Sequence, residues 1–294
     1  MHQASTLREL ANDKQTSNVL TSTNKQTIHT FAITSGKGGV GKTNIVVNLA
    51  IILSRMNKKI LIIDADLGLA NVDVVLGITP KFNLYHLLEG EKTINDIIID
   101  GPNGIKILPA SSGTQELAEL KTDQKLLLLE ALDSYDNDFD FVLIDTGAGI
   151  SSNVMYFNTA ARDVIVVVSP EPTSITAGYA LMKILSQNYG QKKFRMIVNN
   201  VSNPKDAKCV YSHLTQVTDH YLDVSVDFLG HILIDENFPK SVKEQKPIVL
   251  SYPHSKASRC LNLIANELVN IKHSPEDMSN IGFFWKRLFN NNRI

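Results

Sequence analysis

Phe31-Ala32-Ile33-Thr34-Ser35-Gly36-Lys37-Gly38-Gly39-Val40-Gly41-Lys42-Thr43-Asn44-Ile45-Val46-Val47 is the stretch on which the fold turns. An apolar run enters a glycine-rich turn and a second apolar run leaves it. The turn matches G-x-x-x-x-G-K-[ST] and stands between a strand-like and a helix-like segment, where the motif has its mechanism. Gly36, Gly38, Gly39 and Gly41 let the backbone curl so that successive N–H groups, that of Val40 included, point inward at phosphate oxygens. A helix opening near Lys42 adds its positive end. Lys42 is placed to reach the β/γ-phosphates, and the Thr43 hydroxyl to ligate magnesium.

Outward from this loop the chain alternates. Apolar strand-like runs fall at 30–34, 59–63, 105–108, 139–144, 163–168, 195–198 and 228–234. Several are continuous Ile/Val/Leu stretches, the pattern of parallel strands covered on both faces. Helix-like segments at 43–55, 114–132, 174–187 and 257–271 lie between or after them. The alternation predicts an α/β fold: a doubly wound, mainly parallel sheet with helices on both faces.

Two further strand ends carry carboxylates. The run 59–63 leads into Asp64-Ala65-Asp66-Leu67-Gly68-Leu69-Ala70-Asn71, and 139–144 leads into Asp145-Thr146-Gly147-Ala148-Gly149. Acids at the carboxyl ends of parallel strands sit where such sheets bind ligands. An aspartate after an apolar strand is also the arrangement that holds a magnesium water shell beside a phosphate loop. The alternative for Asp64 and Asp66 is a pair of turn aspartates capping the strand end. The run 195–198 ends in Asn199 and Asn200, which serve as turn residues or as polar contacts at a strand end.

The run Lys37–Thr43, KGGVGKT, resembles the deviant phosphate loop of the MinD/ParA ATPases, and Asp64–Asn71 and DTGAG resemble that family's two switches. The resemblance spans about 29–271. It implies a P-loop NTPase that binds ATP or ADP with Mg2+, hydrolyses ATP and forms a homodimer when ATP-bound. It assigns Lys37 to the partner's nucleotide across the dimer, Asp66 to the attacking water, and Asp64, Asp145 and Thr43 to the magnesium shell. An asparagine at the end of the 195–198 strand would read the adenine edge; Asn199 is preferred, with Asn200 next.

Ser169-Pro170-Glu171-Pro172-Thr173-Ser174-Ile175-Thr176 resembles a stretch of the family's flagellar-number branch, FlhG (YlxH or FleN), although Ala177 stands where that branch has aspartate. Gln3-Ala4-Ser5-Thr6-Leu7-Arg8 resembles the same branch's N-terminal activation motif, with His2 in place of its aspartate. This implies that Gln3, Leu7 and Arg8 contact an FlhF-like signal-recognition-type GTPase. The polar residues 16–27 read as a linker, and twelve flexible residues span roughly 20 Å root-mean-square.

Three segments follow: 1–27 as activation helix and linker, 28–273 as the ATPase domain, and 274–294 as an amphipathic helix. In the last, Met278, Ile281, Phe284, Trp285, Leu288 and Phe289 share one helical face, with Lys286, Arg287 and Asn290 opposite and Phe283 on the polar side. An aromatic apolar face with basic flanks fits a helix lying in a membrane interface. Docking on its own domain, or on a partner protein, are the other readings of the same face.

With a formal net charge of -1 over 294 residues, the chain has no global field for nucleic acid, and no specific nucleic acid is expected. Cys209 and Cys260, the two cysteines, form neither a C-x-x-C nor a zinc pattern, which excludes an iron–sulfur carrier and points to a reducing compartment. No apolar run reaches the ~18–20 residues that cross a bilayer. The location expected is the cytoplasm, peripheral at the inner face of the cell membrane. A division-site or partition ATPase of the same family is the alternative to a flagellar regulator.

Overall fold

The computed structural model describes residues 28–68, 70–111, 120–135 and 139–271. Gln3, Leu7 and Arg8 of the N-terminal motif, and Ile281, Phe284, Trp285, Leu288 and Phe289 of the tail, lie outside the described residues.

Among the described residues there are eight strands: β1 (His29–Ser35), β2 (Ile60–Ala65), β3 (Ile99–Asp100), β4 (Lys106–Leu108), β5 (Phe141–Ala148), β6 (Asp163–Val168), β7 (Lys193–Val201) and β8 (Ser225–Leu233). They form one sheet in the order β3-β4-β2-β5-β1-β6-β7-β8. Every neighbouring pair is parallel except β3 with β4. The continuous apolar runs become strands buried on both faces, as their composition requires: all six residues of β2 are buried. All seven expected strands are present. The addition is β3, whose two residues are too short to leave a periodic signal.

Alternate residues of each strand feed two different cores. Phe31 and Ile33 of β1, with Ile60 and Ile62 of β2, pack against α1 (Lys42–Arg55) and the last described helix, α11 (Lys256–Asn270). Ala32, Leu61 and Ile63 turn to the other side, against α5 (Thr122–Ser134) and α6 (Ser152–Ala160). Farther along that side, Val164, Val166 and Met196 meet α7 (Pro172–Tyr189) and α8 (Pro204–Tyr221). The remaining helices are short: α2 (Val72–Leu76), α3 (Leu84–Leu88), α4 (Ile94–Ile97), α9 (Asn237–Lys243) and α10 (Ile248–Ser251). Where a helix was expected over 114–132, the described one begins at Thr122.

The strand order fixes the site. β1 lies between β5 and β6, and β2 lies beside β5. Parallel direction then puts the loop after β1 and the acid-bearing ends of β2 and β5 on one edge of the sheet.

Candidate functional site

The loop after β1 is held by shape as much as by bonds. Gly39 and Gly41 take positive φ, 78° and 88°, which glycine adopts without steric cost. Gly36 answers a different demand. A Cβ there would lie 2.0 Å from the carbonyl oxygen of Ala177 in the first turns of α7, so only glycine lets the loop rest on that helix. α1 then begins at Lys42 with no side-chain cap on Gly41 and no acid in its first turn. Its leading N–H groups are left for an anion.

Behind the loop lies a charge cluster. Lys42 is 7% exposed, and its Nζ is 2.6 Å from Oδ1 of Asp145, which is fully buried. The other oxygen of Asp145, Oδ2, is buried with no partner. Asp64 and Asp145 are register partners on adjacent strands. Burial first, and the neighbouring Asp145 second, push the Asp64 carboxyl up to about 8, against the pull of the Val72 and Asp66 amides and Lys42. Asp64 also organises the segment that follows it. Its Oδ1 accepts from the Asp66 N–H at 3.1 Å, and its Oδ2 from the N–H groups of Asn71 and Val72 at 3.2 Å each.

A cleft of about 360 Å³ opens in front of the loop, lined by Gly38, Gly39, Val40, Gly41, Lys42, Thr43, Asp66, Asn71 and Ala148, with Val74, Val75 and Val242 along one wall. Asp66 reaches toward Gly147, where a Cβ would sit 3.4 Å from its Oδ1. Thus Lys42, Thr43, Asp66, Gly38, Gly39 and Gly41 share one cleft, with the buried Asp64 and Asp145 behind Lys42. Hard oxygen donors beside a lysine and free amides suit Mg2+ and phosphate, and the unpartnered Asp145 Oδ2 is a donor waiting for such an ion. Among the described residues no cluster of three His, Cys, Asp or Glu forms a metal cage.

Two residues of the expected site make contacts within the chain. Asn199 is 3% exposed, and its Nδ2 donates to the Val40 carbonyl at 2.7 Å. The neighbouring Asn200 is exposed, with φ 58°. Lys37 is ion-paired within its own chain to Glu171 and donates to the Thr173 hydroxyl at 3.0 Å.

Sequence reasoning missed Asn48, which is fully buried in α1. Its Oδ1 accepts from the Val249 N–H at 3.1 Å and its Nδ2 donates to the Asn44 carbonyl at 2.7 Å, tying the phosphate-loop helix to α10. A polar residue inside the apolar run Asn44–Leu53 was the available signal. The close seat of Gly36 on Ala177 had no signal of its own, since it joins distant segments.

Residues 28–197 match the family model of an AAA domain. The antiactivator FleN of Pseudomonas aeruginosa is 40% identical, over 89% of this chain and 93% of its own length. The flagellum site-determining protein YlxH of Helicobacter pylori is 34% identical, over 92% of this chain and 90% of its own. Among solved structures, the septum site-determining protein MinD of Pyrococcus horikoshii OT3, complexed with Mg-ADP, aligns with a TM-score of 0.67 at 26% identity, covering 83% of this chain and 96% of that one.

Proposed function

The chain belongs to the MinD/ParA family of P-loop ATPases, with FleN and YlxH among its relatives, and on that premise we propose an ATP-dependent dimerising switch that regulates flagellar number or placement. The observation that carries the reading is the buried Lys42–Asp145 contact at the foot of an uncapped helix, with Asp66 lining the same cleft.

The backbone amides of Gly36, Gly38, Gly39, Val40, Gly41, Lys42 and Thr43 cradle the phosphates. Lys42 exchanges Asp145 for the β/γ-phosphates when the triphosphate enters. Thr43, Asp64 and Asp145 would hold Mg2+, which supplies charge neutralisation on the phosphate oxygens when bound. Asp66 orients the attacking water and accepts its proton. Lys37 leaves Glu171 and reaches the nucleotide of a second copy, closing the dimer; hydrolysis reopens it. The end of β7 serves the adenine edge, with Asn200 exposed there and Asn199 buried.

Residues outside the described region complete the proposal. Gln3, Leu7 and Arg8 stimulate an FlhF-like GTPase, and the face of Ile281, Phe284, Trp285, Leu288 and Phe289 lies in the inner membrane surface. Two weak anchors on one dimer bind far more tightly than one. Among the described residues no helix is long and apolar enough to cross a membrane.

The test is gel filtration of the full chain with Mg-ATP and Mg-ADP, with parallel turnover and liposome sedimentation. ATP alone should give a dimer that pellets with anionic vesicles, and Asp66→Ala should accumulate that dimer while losing turnover. Normal turnover by Asp66→Ala, or equal size in both nucleotides, overturns the reading.

A further inference from the structure

We infer that Asn199 is a positioning residue that braces the phosphate loop from beneath, so that its contribution to binding is independent of the base. The inference rests on the reading of the cleft as a nucleotide site.

The loop has few internal supports. Gly39 and Gly41 are both left-handed, and Val40 between them is 4% exposed. Such a segment has no repeating hydrogen bonds to hold its curl, and a buried main-chain carbonyl within it needs a donor. Asn199 supplies one to Val40 at 2.7 Å. The bond arrives from afar: β7 and β1 are separated by β6 in the sheet, so this side chain ties the loop to a strand two positions away. The orientation of the amide follows from its partner, because a carbonyl oxygen can only accept and the –NH2 end must face it. The Oδ1 end is left buried without a partner.

Gly41 is shaped around the same contact. A Cβ at that position would lie 2.5 Å from Nδ2 of Asn199. The glycine therefore serves two needs, its φ of 88° and the space for the brace. Removing the brace leaves the Val40 carbonyl buried and unpaired and frees the loop to abandon the curl that aims its amides at the phosphates.

The test compares the full chain with its Asn199→Ala variant. Binding of Mg-ADP, Mg-GDP and inorganic tripolyphosphate is measured by calorimetry, and amide exchange of residues 36–43 is followed by mass spectrometry without ligand. The brace predicts that all three ligands weaken together, by about 10- to 100-fold, with the ADP-over-GDP preference unchanged. It also predicts that exchange accelerates in the loop while the rest of the domain keeps its protection. Unchanged tripolyphosphate binding with loss of the ADP-over-GDP preference overturns it, because that is the behaviour of a base contact. Unchanged loop exchange overturns it as well.

If the unsubstituted protein binds none of the three ligands, the nucleotide reading fails, while the exchange comparison still decides the brace. Should Asn199→Ala not fold, the side-chain –NH2 resonance of Asn199 in the ligand-free parent protein decides instead. Protection from solvent exchange supports the brace, and free exchange refutes it.

Discussion

Replacing Asp64 by asparagine should remove a pH dependence of stability that the buried acid pair imposes. Asp64 stands beside Asp145 in the sheet, and burial and that neighbour push its carboxyl up to about 8. In the unfolded chain the same group titrates near its ordinary value of about 3.9. The folded state thus binds this proton more tightly than the unfolded state. Asp64 favours folding most at pH values below about 4, and the stabilisation is lost progressively as pH rises toward 8. One proton held by the folded state alone corresponds to about 1.4 kcal/mol lost per pH unit within that window. Between pH 5.5 and 7.5 the parent should lose about 2–3 kcal/mol relative to Asp64→Asn.

The amide suits the comparison. Its carbonyl oxygen can still accept one of the main-chain N–H bonds made by Asp64, and it cannot ionise. Titrating groups that do not neighbour the acid pair are common to both proteins and cancel in the difference. Urea unfolding of both ligand-free proteins at the two pH values measures it. If the two stabilities change in parallel within about 0.5 kcal/mol, Asp64 is ionised throughout and the reasoning is refuted.

Gly36→Ala should abolish nucleotide binding, because the new methyl meets the Ala177 carbonyl at 2.0 Å and must lift the loop off α7; retained ADP affinity in calorimetry would contradict this. Asn48→Ala leaves the Val249 N–H without its 3.1 Å acceptor and opens a small void, so urea denaturation should show a loss of about 2–3 kcal/mol. Lys37→Ala breaks an ion pair whose side chains are 39% and 63% exposed, and monomer stability should change by less than about 1 kcal/mol. The same variant should stay monomeric in ATP on gel filtration, which separates its proposed role across a dimer from its contact within the chain.

Much of this molecule is legible in its sequence because the signals are local. A strand buried on both faces must be apolar throughout, so the runs that became β1, β2, β5 and β6 announced themselves. A phosphate loop must change direction within a few residues and leave its amides free, which dictates glycines ahead of Lys42. The carboxylates at 64, 66 and 145 were visible for the same reason, each at the end of an apolar run. Helix ends were read less sharply: α7 opens at Pro172, two residues before the expected start.

What the tertiary structure decided are contacts between segments far apart in the chain. Strand order placed Asp145 beside Asp64 and under Lys42; burial and that proximity, invisible in either motif alone, make the Asp64 carboxyl a weaker acid, and Oδ2 of Asp145 is left unpaired. The contact of Asn199 with the phosphate loop has the same origin. Sequence gives the residue type and its place at a strand end, while its use depends on which neighbour lies within 2.7 Å of its amide, and that neighbour is 159 positions away. Periodicity and turn chemistry act over a few residues and can be read along the chain; a hydrogen bond or an ion pair acts over a few ångströms of space, and only folding determines which residues share them.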